Sequence, residues 1–173
     1  DLEQYRGFVV GSLFKSNTKK TYEIVPVMNF GNPYSAAQAL NIGIGKARSN
    51  IVVLCHQDVL FYEGWVDMLF ERIKEVSIKN TKWGGLGTAG IDTKDNTVGV
   101  VHNMKGKMQW MSTKRAKFQQ VQTVDEHGMI IKKNSGLRFD HKTFNGFHFY
   151  GPDICLNAMS KGLVNFGILC PLV

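Results

Sequence analysis

The sequence predicts an α/β fold in which a mixed, mainly parallel sheet is flanked by helices. Residues 51–55 are five consecutive apolar residues, a run typical of a strand that is buried on both faces. A strand over residues 22–28 and a helix over residues 35–48 precede this run, and a helix over residues 64–77 follows it. This strand–helix–strand–helix order favours parallel strands joined by right-handed crossovers.

The length and charge of the chain limit the classes of protein to which it can belong. The chain has 173 residues, which suits one domain over residues 1–173, with a first half at 22–80 and a second half at 81–173. The 21 Lys and Arg residues outnumber the 14 Asp and Glu residues, so the formal net charge is +7. This charge suits an anionic partner, but the basic residues are scattered, so we do not expect a nucleic-acid partner.

The cysteines and the apolar segments favour a cytoplasmic protein. The three cysteines are odd in number and form no C-x-x-C pair, so we expect reduced, buried thiols. No apolar run is long enough to span a bilayer. Because the chain lacks a starting Met and ends within an apolar run, we expect it to continue beyond both ends.

The elements of the first half are predicted from local signals. Apolar residues recur at helical spacing over residues 2–14, which indicates an amphipathic helix. Residues 22–28 are rich in apolar and β-branched residues, but Pro26 cannot donate to a strand ladder and counts against a central position. Ser35 and Gln38 have the spacing of a capping box at a helix start.

The second half is predicted to contain strands and one last helix. After the helix over residues 64–77, which ends the first half and carries a continuous apolar stripe, the glycine-rich residues 83–90 predict a strand with close backbone approach. Short strands are expected between residues 98 and 131. Pro152 fits the first position of a helix that Gly162 ends.

Three polar residues, His56, Gln57 and Asp58, follow the apolar run directly. Ligands of open α/β sheets bind outside the carboxyl ends of the strands, so an imidazole and a carboxylate are expected where a ligand or a metal would bind. The alternative is structural: Asp58 caps the loop, and His56 is a hydrogen-bonded residue at the strand end. The strand by itself does not decide between these two interpretations.

Three segments in order resemble family 2-type glycosyltransferases of the GT-A fold. Residues 39–47 match the small-residue helix pattern A-x-N-x-G-x-x-x-A. Residues 51–58, followed by Gly64 and Trp65, are similar to the strand that ends at the D-x-D motif, with His-Gln-Asp in place of that motif. Residues 123–156 resemble the acceptor-side segment, in which an acidic residue stands at a helix start.

The resemblance implies a GT-A-like, Rossmann-like sheet and a metal-dependent, inverting transfer of a sugar. The donor would be a nucleotide sugar, with a UDP-sugar favoured, and the acceptor a saccharide or a lipid-linked saccharide of polysaccharide biosynthesis. Mn²⁺ or Mg²⁺ would be bound by Asp58 and His56, or His56 would instead hydrogen-bond a phosphate or the ribose. The predicted donor site consists of Asn29, Asn41, His56, Gln57, Asp58 and Asp125.

The same resemblance assigns the acceptor side. Asp153 matches the catalytic base, which takes the proton of the acceptor hydroxyl, although a first-turn acid also complements a helix dipole. Asp140 is the second candidate and otherwise a turn residue. His148 and Tyr150 are candidate acceptor contacts, and the alternative for His148 is a buried, hydrogen-bonded histidine. Asp125 is also a candidate turn residue.

The sequence departs from the family pattern at two donor positions and leaves two rival functions open. Asn29 stands where an acidic residue is expected, and His56 replaces the first Asp of the motif. The rivals are a non-catalytic nucleotide- or sugar-binding module and a nucleotidyltransferase. Peripheral association with a membrane would accompany a lipid-linked acceptor, and the oligomeric state is left open.

Overall fold

The fold is a mixed α/β arrangement of one five-stranded sheet and one smaller antiparallel sheet. The computed structural model describes residues 1–102, 108–110 and 116–172. The helices are α1 (Leu2–Gln4), α2 (Gly11–Phe14), α3 (Ala36–Lys46), α4 (Trp65–Lys79) and α5 (Tyr150–Ser160), with a π-helical segment at Tyr5–Val10 and a 3-10 turn at Lys133–Ser135. The strands are β1 (Ile51–Cys55), β2 (Trp83–Gly87), β3 (Ala89–Ile91), β4 (Thr97–His102), β5 (Met108–Trp110), β6 (Phe118–Val121), β7 (Thr123–Val124), β8 (Gly128–Lys132) and β9 (Val164–Ile168).

The large sheet has the strand order β1-β8-β2-β9-β6, and its strand directions correct the prediction of a mainly parallel sheet. Within the described residues, β2 and β9 run parallel, whereas β1 with β8, β8 with β2, and β6 with β9 are antiparallel. An apolar run reports burial on both faces of a strand. It carries no information about the direction of the neighbouring strand, which is β8 at residues 128–132.

Both faces of β1 are covered, as its composition predicts. Val52 and Leu54 lie in one hydrophobic cluster, to which α3 and α5 contribute. Ile51 and Val53 pack against a second cluster, which contains residues of α4 and of the N-terminal helical segment. The large sheet therefore lies between two layers of helices, and β1 extends from this double-sided core to a polar end at His56.

Residues 22–28 do not form the predicted strand. The segment has no regular secondary structure. Pro26 has no N–H for a ladder, and the Glu23 carboxylate binds the residues just after α3 instead. The Glu23 carboxylate accepts hydrogen bonds from the Arg48 backbone N–H at 2.6 Å and from Arg48 Nε at 2.7 Å. The segment is thus held through side-chain contacts rather than through strand pairing, since Tyr22 also donates to Leu13 O and Ile24 packs against the second cluster.

Several helix predictions are confirmed by hydrogen bonds at the helix starts and ends. The capping box forms, because Gln38 N–H donates to Ser35 Oγ at 3.2 Å and Ser35 N–H donates to Gln38 Oε1 at 2.9 Å. The last helix begins at Tyr150, two residues before the predicted start, and Gly162 follows its end with φ of +71°. Its N-cap residue, Phe149, has the left-handed φ of +66°.

The small sheet has the order β5-β4-β3-β7, and its glycines allow the close backbone approach that the sequence predicts. A Cβ at Gly90 would collide with the backbone oxygen of Thr123 on β7. Gly99 on β4 has φ of +111° and faces Thr88 in the same way.

The three cysteines are free thiols, and no helix within the described ranges has the length and apolar character needed to cross a bilayer.

Candidate functional site

Three segments meet beyond the carboxyl end of β1. Residues 56–58 follow β1, residues 125–127 form the turn between β7 and β8, and residues 149–153 begin α5. The pairing of Cys55 with Gly128 brings the first two segments side by side. The third is attached by the Gly151 N–H, which donates to Glu126 Oε1 at 2.9 Å. The strand register and one side chain therefore bring together residues that are distant in sequence.

A hydrogen bond of 2.8 Å joins His56 Nε2 and the hydroxyl of Tyr150. Tyr150 is only 3 % exposed, and its ring meets that of Phe139 edge-on with the centroids 5.8 Å apart. Burial, and then the nearby carboxylates of Glu126 and Asp125, raise the pKa of Tyr150 above its ordinary value, so the phenol stays protonated. The sequence placed His56 on the donor side and Tyr150 on the acceptor side, and this bond links the two.

His127 lies among the charged groups of this region. Burial lowers the pKa of His127, and His56 lowers it further, whereas the carboxylates of Asp125 and Asp58 raise it. Burial, followed by the charge of Asp58, raises the pKa of the Cys55 thiol to about 12. These interactions put Asp125, His56 and Asp58 within electrostatic reach of the His127 imidazole, so the region combines carboxylates with imidazole groups.

Asp125 has the turn role that the sequence left open for it. Its Oδ1 accepts the His127 N–H at 2.8 Å, which is the bond expected of a turn residue. Its backbone N–H donates to Ala89 O at 2.9 Å and ties the turn to β3. The side chain is nevertheless exposed at the mouth of the region. A contact of Asp125 with a donor sugar stays a prediction.

The two candidates for the catalytic base, Asp153 and Asp140, are in contact. Asp153 lies in the first turn of α5, is half-buried, and accepts the Asp140 N–H through Oδ2 at 3.0 Å. Asp140 is an exposed turn residue, whose Oδ1 accepts the N–H groups of Lys142 and Thr143 at 3.0 and 3.1 Å. Hydrogen bonds, first from the Thr143 side chain, hold the pKa of Asp140 below its ordinary value. Asp140 therefore uses its carboxylate in its own turn, and a catalytic role for either residue stays a prediction.

The two asparagines predicted for the donor site use their amide groups in structural hydrogen bonds. Asn29 Nδ2 donates to Tyr34 O at 2.9 Å, and Asn29 Oδ1 accepts the Tyr34 N–H at 3.0 Å. Asn41 makes the equivalent pair of bonds with the backbone of Phe139, at 2.9 and 3.0 Å. For Asn41 these bonds favour the alternative of a polar residue that supports helix packing. Nucleotide contacts by either residue stay predictions.

The remaining predicted residues are at the surface. Gln57 and Asp58 are exposed in the turn that follows β1. His148 is exposed as well, so the alternative of a buried histidine is wrong. His148 lies between Phe147 and Phe149, which are 50 % and 69 % exposed. An exposed imidazole flanked by two exposed aromatic rings is a surface on which a sugar can pack.

Glu126 is a part of the site that the sequence interpretation missed. It orients the start of α5 through Gly151, and its charge acts on Tyr150. The sequence signal that could have identified Glu126 is the pair of adjacent acids in the turn residues 125–127. The predicted donor site contains only the first of them, Asp125. Which acid of such a pair points at a neighbouring helix depends on the position of that helix, which the turn sequence does not encode.

Among the residues of the predicted donor site, Asp58 has a side chain that suits a hard cation. The Asp58 carboxylate supplies oxygen ligands of the kind that Mn²⁺ and Mg²⁺ prefer. Within the described residues no group of three or more His, Cys, Asp or Glu side chains is arranged to hold a metal ion. A cation bound at Asp58 would complete its coordination with water or with oxygens of the ligand. His56 Nε2 is already engaged with Tyr150.

A cleft of about 410 Å³ lies elsewhere on the molecule. None of the predicted site residues lines this cleft. Its lining residues are Asp92, Thr93, Lys94, Asn96, Gln120 and Val121.

Comparison with known proteins adds no family assignment. No protein-family model matches the chain, and a search of curated proteins finds no significant relative. The resemblance to glycosyltransferases therefore depends on the three sequence segments described above.

Proposed function

We propose that the chain is a GT-A-like glycosyltransferase domain that transfers a sugar from a nucleotide sugar to a saccharide or lipid-linked acceptor. The observation that carries the proposal is the convergence of His56–Asp58, Asp125–His127 and the Asp153-bearing start of α5. The sequence assigned these segments to the donor and acceptor sides of one site. Their meeting at the carboxyl end of β1 is what such a site requires.

The donor half of the proposed mechanism centres on Asp58. The exposed Asp58 carboxylate would hold Mn²⁺ or Mg²⁺ together with diphosphate oxygens of the donor. The bound cation would stabilise the negative charge that develops on the departing diphosphate. Asp125, at the adjacent turn, would contact the donor sugar.

The acceptor half centres on Asp153. Its carboxylate would take the proton of the acceptor hydroxyl as that oxygen attacks the anomeric carbon and the bond to the diphosphate breaks. Attack from the side opposite the leaving group inverts the configuration at that carbon. The Asp140 N–H fixes one oxygen of Asp153, which supports an oriented base. The acceptor would pack on the exposed residues Phe147, His148 and Phe149, because the ring of Tyr150 is buried.

A second candidate is a nucleotide-sugar-binding module without turnover. The observation that favours it is Asn29, which stands at the position of an expected acid and whose amide is used to close its own loop. This candidate predicts binding of a nucleotide sugar without release of nucleoside diphosphate. A nucleotidyltransferase, in contrast, would release pyrophosphate, so product analysis separates all three functions.

The first experiment is a thermal-shift series with UDP, GDP, CDP and dTDP, each with Mn²⁺, Mg²⁺ or EDTA. A ligand that binds the native state at about 100 times its dissociation constant stabilises it by about 2.7 kcal/mol, which corresponds to a Tm increase of about 5–10 °C. We expect one nucleoside diphosphate to give a metal-dependent shift. The shift should be lost in Asp58→Ala and kept in Asp92→Ala, a matched carboxylate outside the site.

The second experiment separates binding from turnover. Asp153→Asn should bind the same nucleotide as the unmodified chain and should lose release of nucleoside diphosphate from the nucleotide sugar. Binding that is unaffected by Asp58→Ala would contradict the proposed donor site. Turnover that is unaffected by Asp153→Asn would contradict the assignment of the base.

A further inference from the structure

The hydrogen bond between Tyr150 and His56 joins a buried phenol to an exposed imidazole. The Tyr150 ring is enclosed by the first hydrophobic cluster and by Phe139, and its hydroxyl lies 2.8 Å from His56 Nε2. His56 itself is on the surface, in the turn after β1. One nitrogen of the imidazole is therefore engaged by the protein, and His56 as a residue is exposed.

The burial of Tyr150 determines the direction of this hydrogen bond. In the part of the chain that the structure describes, His56 Nε2 is the one partner found for the phenol hydroxyl. If Nε2 carried the proton, it would donate to the phenol oxygen and leave a buried O–H without an acceptor, which is unfavourable. The phenol therefore donates to Nε2. Burial, and then the neighbouring Glu126 and Asp125 carboxylates, raise the pKa of Tyr150, so the phenol keeps the proton that it donates.

A neutral imidazole has one N–H group and one lone pair, so the direction of this bond decides what His56 offers to a ligand. We infer that Tyr150 is a positioning residue that holds His56 as the Nδ1–H tautomer, so that His56 donates a hydrogen bond to the ligand and does not bind the metal. The identity of the ligand oxygen, a phosphate or a hydroxyl of the nucleotide sugar, rests on the proposed function. The tautomer does not.

This inference replaces the metal-ligand role that the sequence resemblance implies for His56. A metal ion needs a free lone pair, and in this tautomer the single lone pair of His56 accepts the Tyr150 proton. Asp58, two residues further along the same turn, remains as the cation ligand. The turn would then offer a carboxylate to the cation and a neutral N–H donor to the nucleotide sugar.

The first test is a measurement of the His56 tautomer by NMR. Long-range ¹H–¹⁵N correlations of the ¹⁵N-labelled chain at pH 8, without metal or nucleotide, show which imidazole nitrogen carries the proton. We expect Nδ1–H for His56 in the unmodified chain and a shift in Tyr150→Phe toward Nε2–H, the tautomer that free histidine favours. Tyr22→Phe is the matched control. It removes a hydroxyl that donates to Leu13 O at 3.1 Å, away from His56.

Three outcomes of this measurement would overturn the inference. They are an Nε2–H tautomer in the unmodified chain, a doubly protonated His56 at pH 8, and an unchanged His56 spectrum in Tyr150→Phe. The spectrum of the unmodified chain needs no variant, so the inference can fail even if Tyr150→Phe does not fold. Loss of one buried hydrogen bond should lower the Tm of that variant by about 2–4 °C.

The second test asks whether Tyr150 acts through His56. Using the nucleoside diphosphate that gives a thermal shift with Mg²⁺, we expect about 5-fold to 10-fold weaker binding in Tyr150→Phe, equivalent to about 1–1.4 kcal/mol. In the His56→Ala background the same change should have no further effect. Equal losses in both backgrounds would overturn the inference. Failure of every nucleotide to bind would contradict the proposed function, while the tautomer measurement would still decide the role of Tyr150.

Discussion

The candidate site and the loop that joins β3 to β4 are both polar turn regions, but their hydrogen bonds join residues at different separations along the chain. In the loop, Asp92 Oδ1 accepts the backbone N–H groups of Lys94 at 2.8 Å and of Asn96 at 3.0 Å. Asn96 Nδ2 adds a bond to Asp92 Oδ2 at 3.1 Å. All of these partners lie within four residues of Asp92, so the bonds shape one turn and connect nothing else.

In the candidate site the bonds connect distant parts of the chain. His56 and Tyr150 are 94 residues apart, and Glu126 and Gly151 are 25 residues apart. A cleft of about 410 Å³ is nevertheless lined by residues of the Asp92 loop, and not by the candidate site. The sequence separation of the polar contacts, and not cavity volume, therefore distinguishes the candidate site, where groups from several elements meet.

The largest expected difference between the two regions is in ligand binding. Asp58→Ala should weaken metal-dependent nucleotide binding by about 100-fold, or about 2.8 kcal/mol, because it removes the proposed cation ligand. Asp92→Ala removes a carboxylate of the local turn and should leave the affinity unchanged. Isothermal titration calorimetry with Mn²⁺ and the bound nucleotide measures both. A reversed order of effects would mean that the cleft, and not the site at β1, takes the ligand.

The second prediction concerns the backbone at the start of α5. A Cβ at Gly151 would lie 2.7 Å from Glu126 Cγ and 3.2 Å from Val124 O. Gly151→Ala should therefore lower the free energy of unfolding by about 1–3 kcal/mol through overpacking. Urea denaturation measures the change.

Gly45→Ala on α3 is the matched control for Gly151→Ala. Nothing lies within 4 Å of a Cβ at Gly45, so this change should be neutral or stabilising by up to about 1 kcal/mol. Equal stability of the two variants would show that the contact between α5 and Glu126 is loose.

The third prediction tests whether Asn41 binds the nucleotide or only stabilises the fold. Asn41→Ala removes both hydrogen bonds to the Phe139 backbone and should lower the free energy of unfolding by about 1–2 kcal/mol. The affinity of the folded variant for nucleotide should change less than 3-fold, or by less than about 0.7 kcal/mol. A 10-fold loss of affinity without loss of stability would return Asn41 to the predicted donor site.

The smallest expected effect is the pH dependence of the Asp92 loop. Hydrogen bonds, first from the Asn96 side chain, lower the pKa of Asp92 below that of an unfolded Asp, about 3.9. The ionised carboxylate therefore contributes stability above about pH 4, and this contribution is lost as the pH falls through the folded-state pKa. Asp92→Asn should show a smaller decrease of Tm between pH 5 and pH 2.5. Parallel Tm curves would contradict the role of the charge.

Much of the local structure could be predicted because its causes are local. The capping box of Ser35 and Gln38 and the strand at residues 51–55 depend on neighbours within a few residues, and both are confirmed. The helix that begins after Gly64 was predicted from its apolar stripe for the same reason. The strand at residues 22–28 was wrong, because its strand-like composition does not guarantee a partner for its backbone.

The sequence by itself determined the helices that follow Ser35 and Gly64 and the buried strand at residues 51–55, and that His56 and Asp58 follow a strand with two buried faces. Only the tertiary structure decided that β8 runs antiparallel beside β1 and that Tyr150 reaches His56. Hydrophobic periodicity and burial can be predicted from residues that are close together in the sequence. Strand direction and side-chain partners are chosen by contacts between segments far apart in the chain, and a single sequence carries no local signal for them.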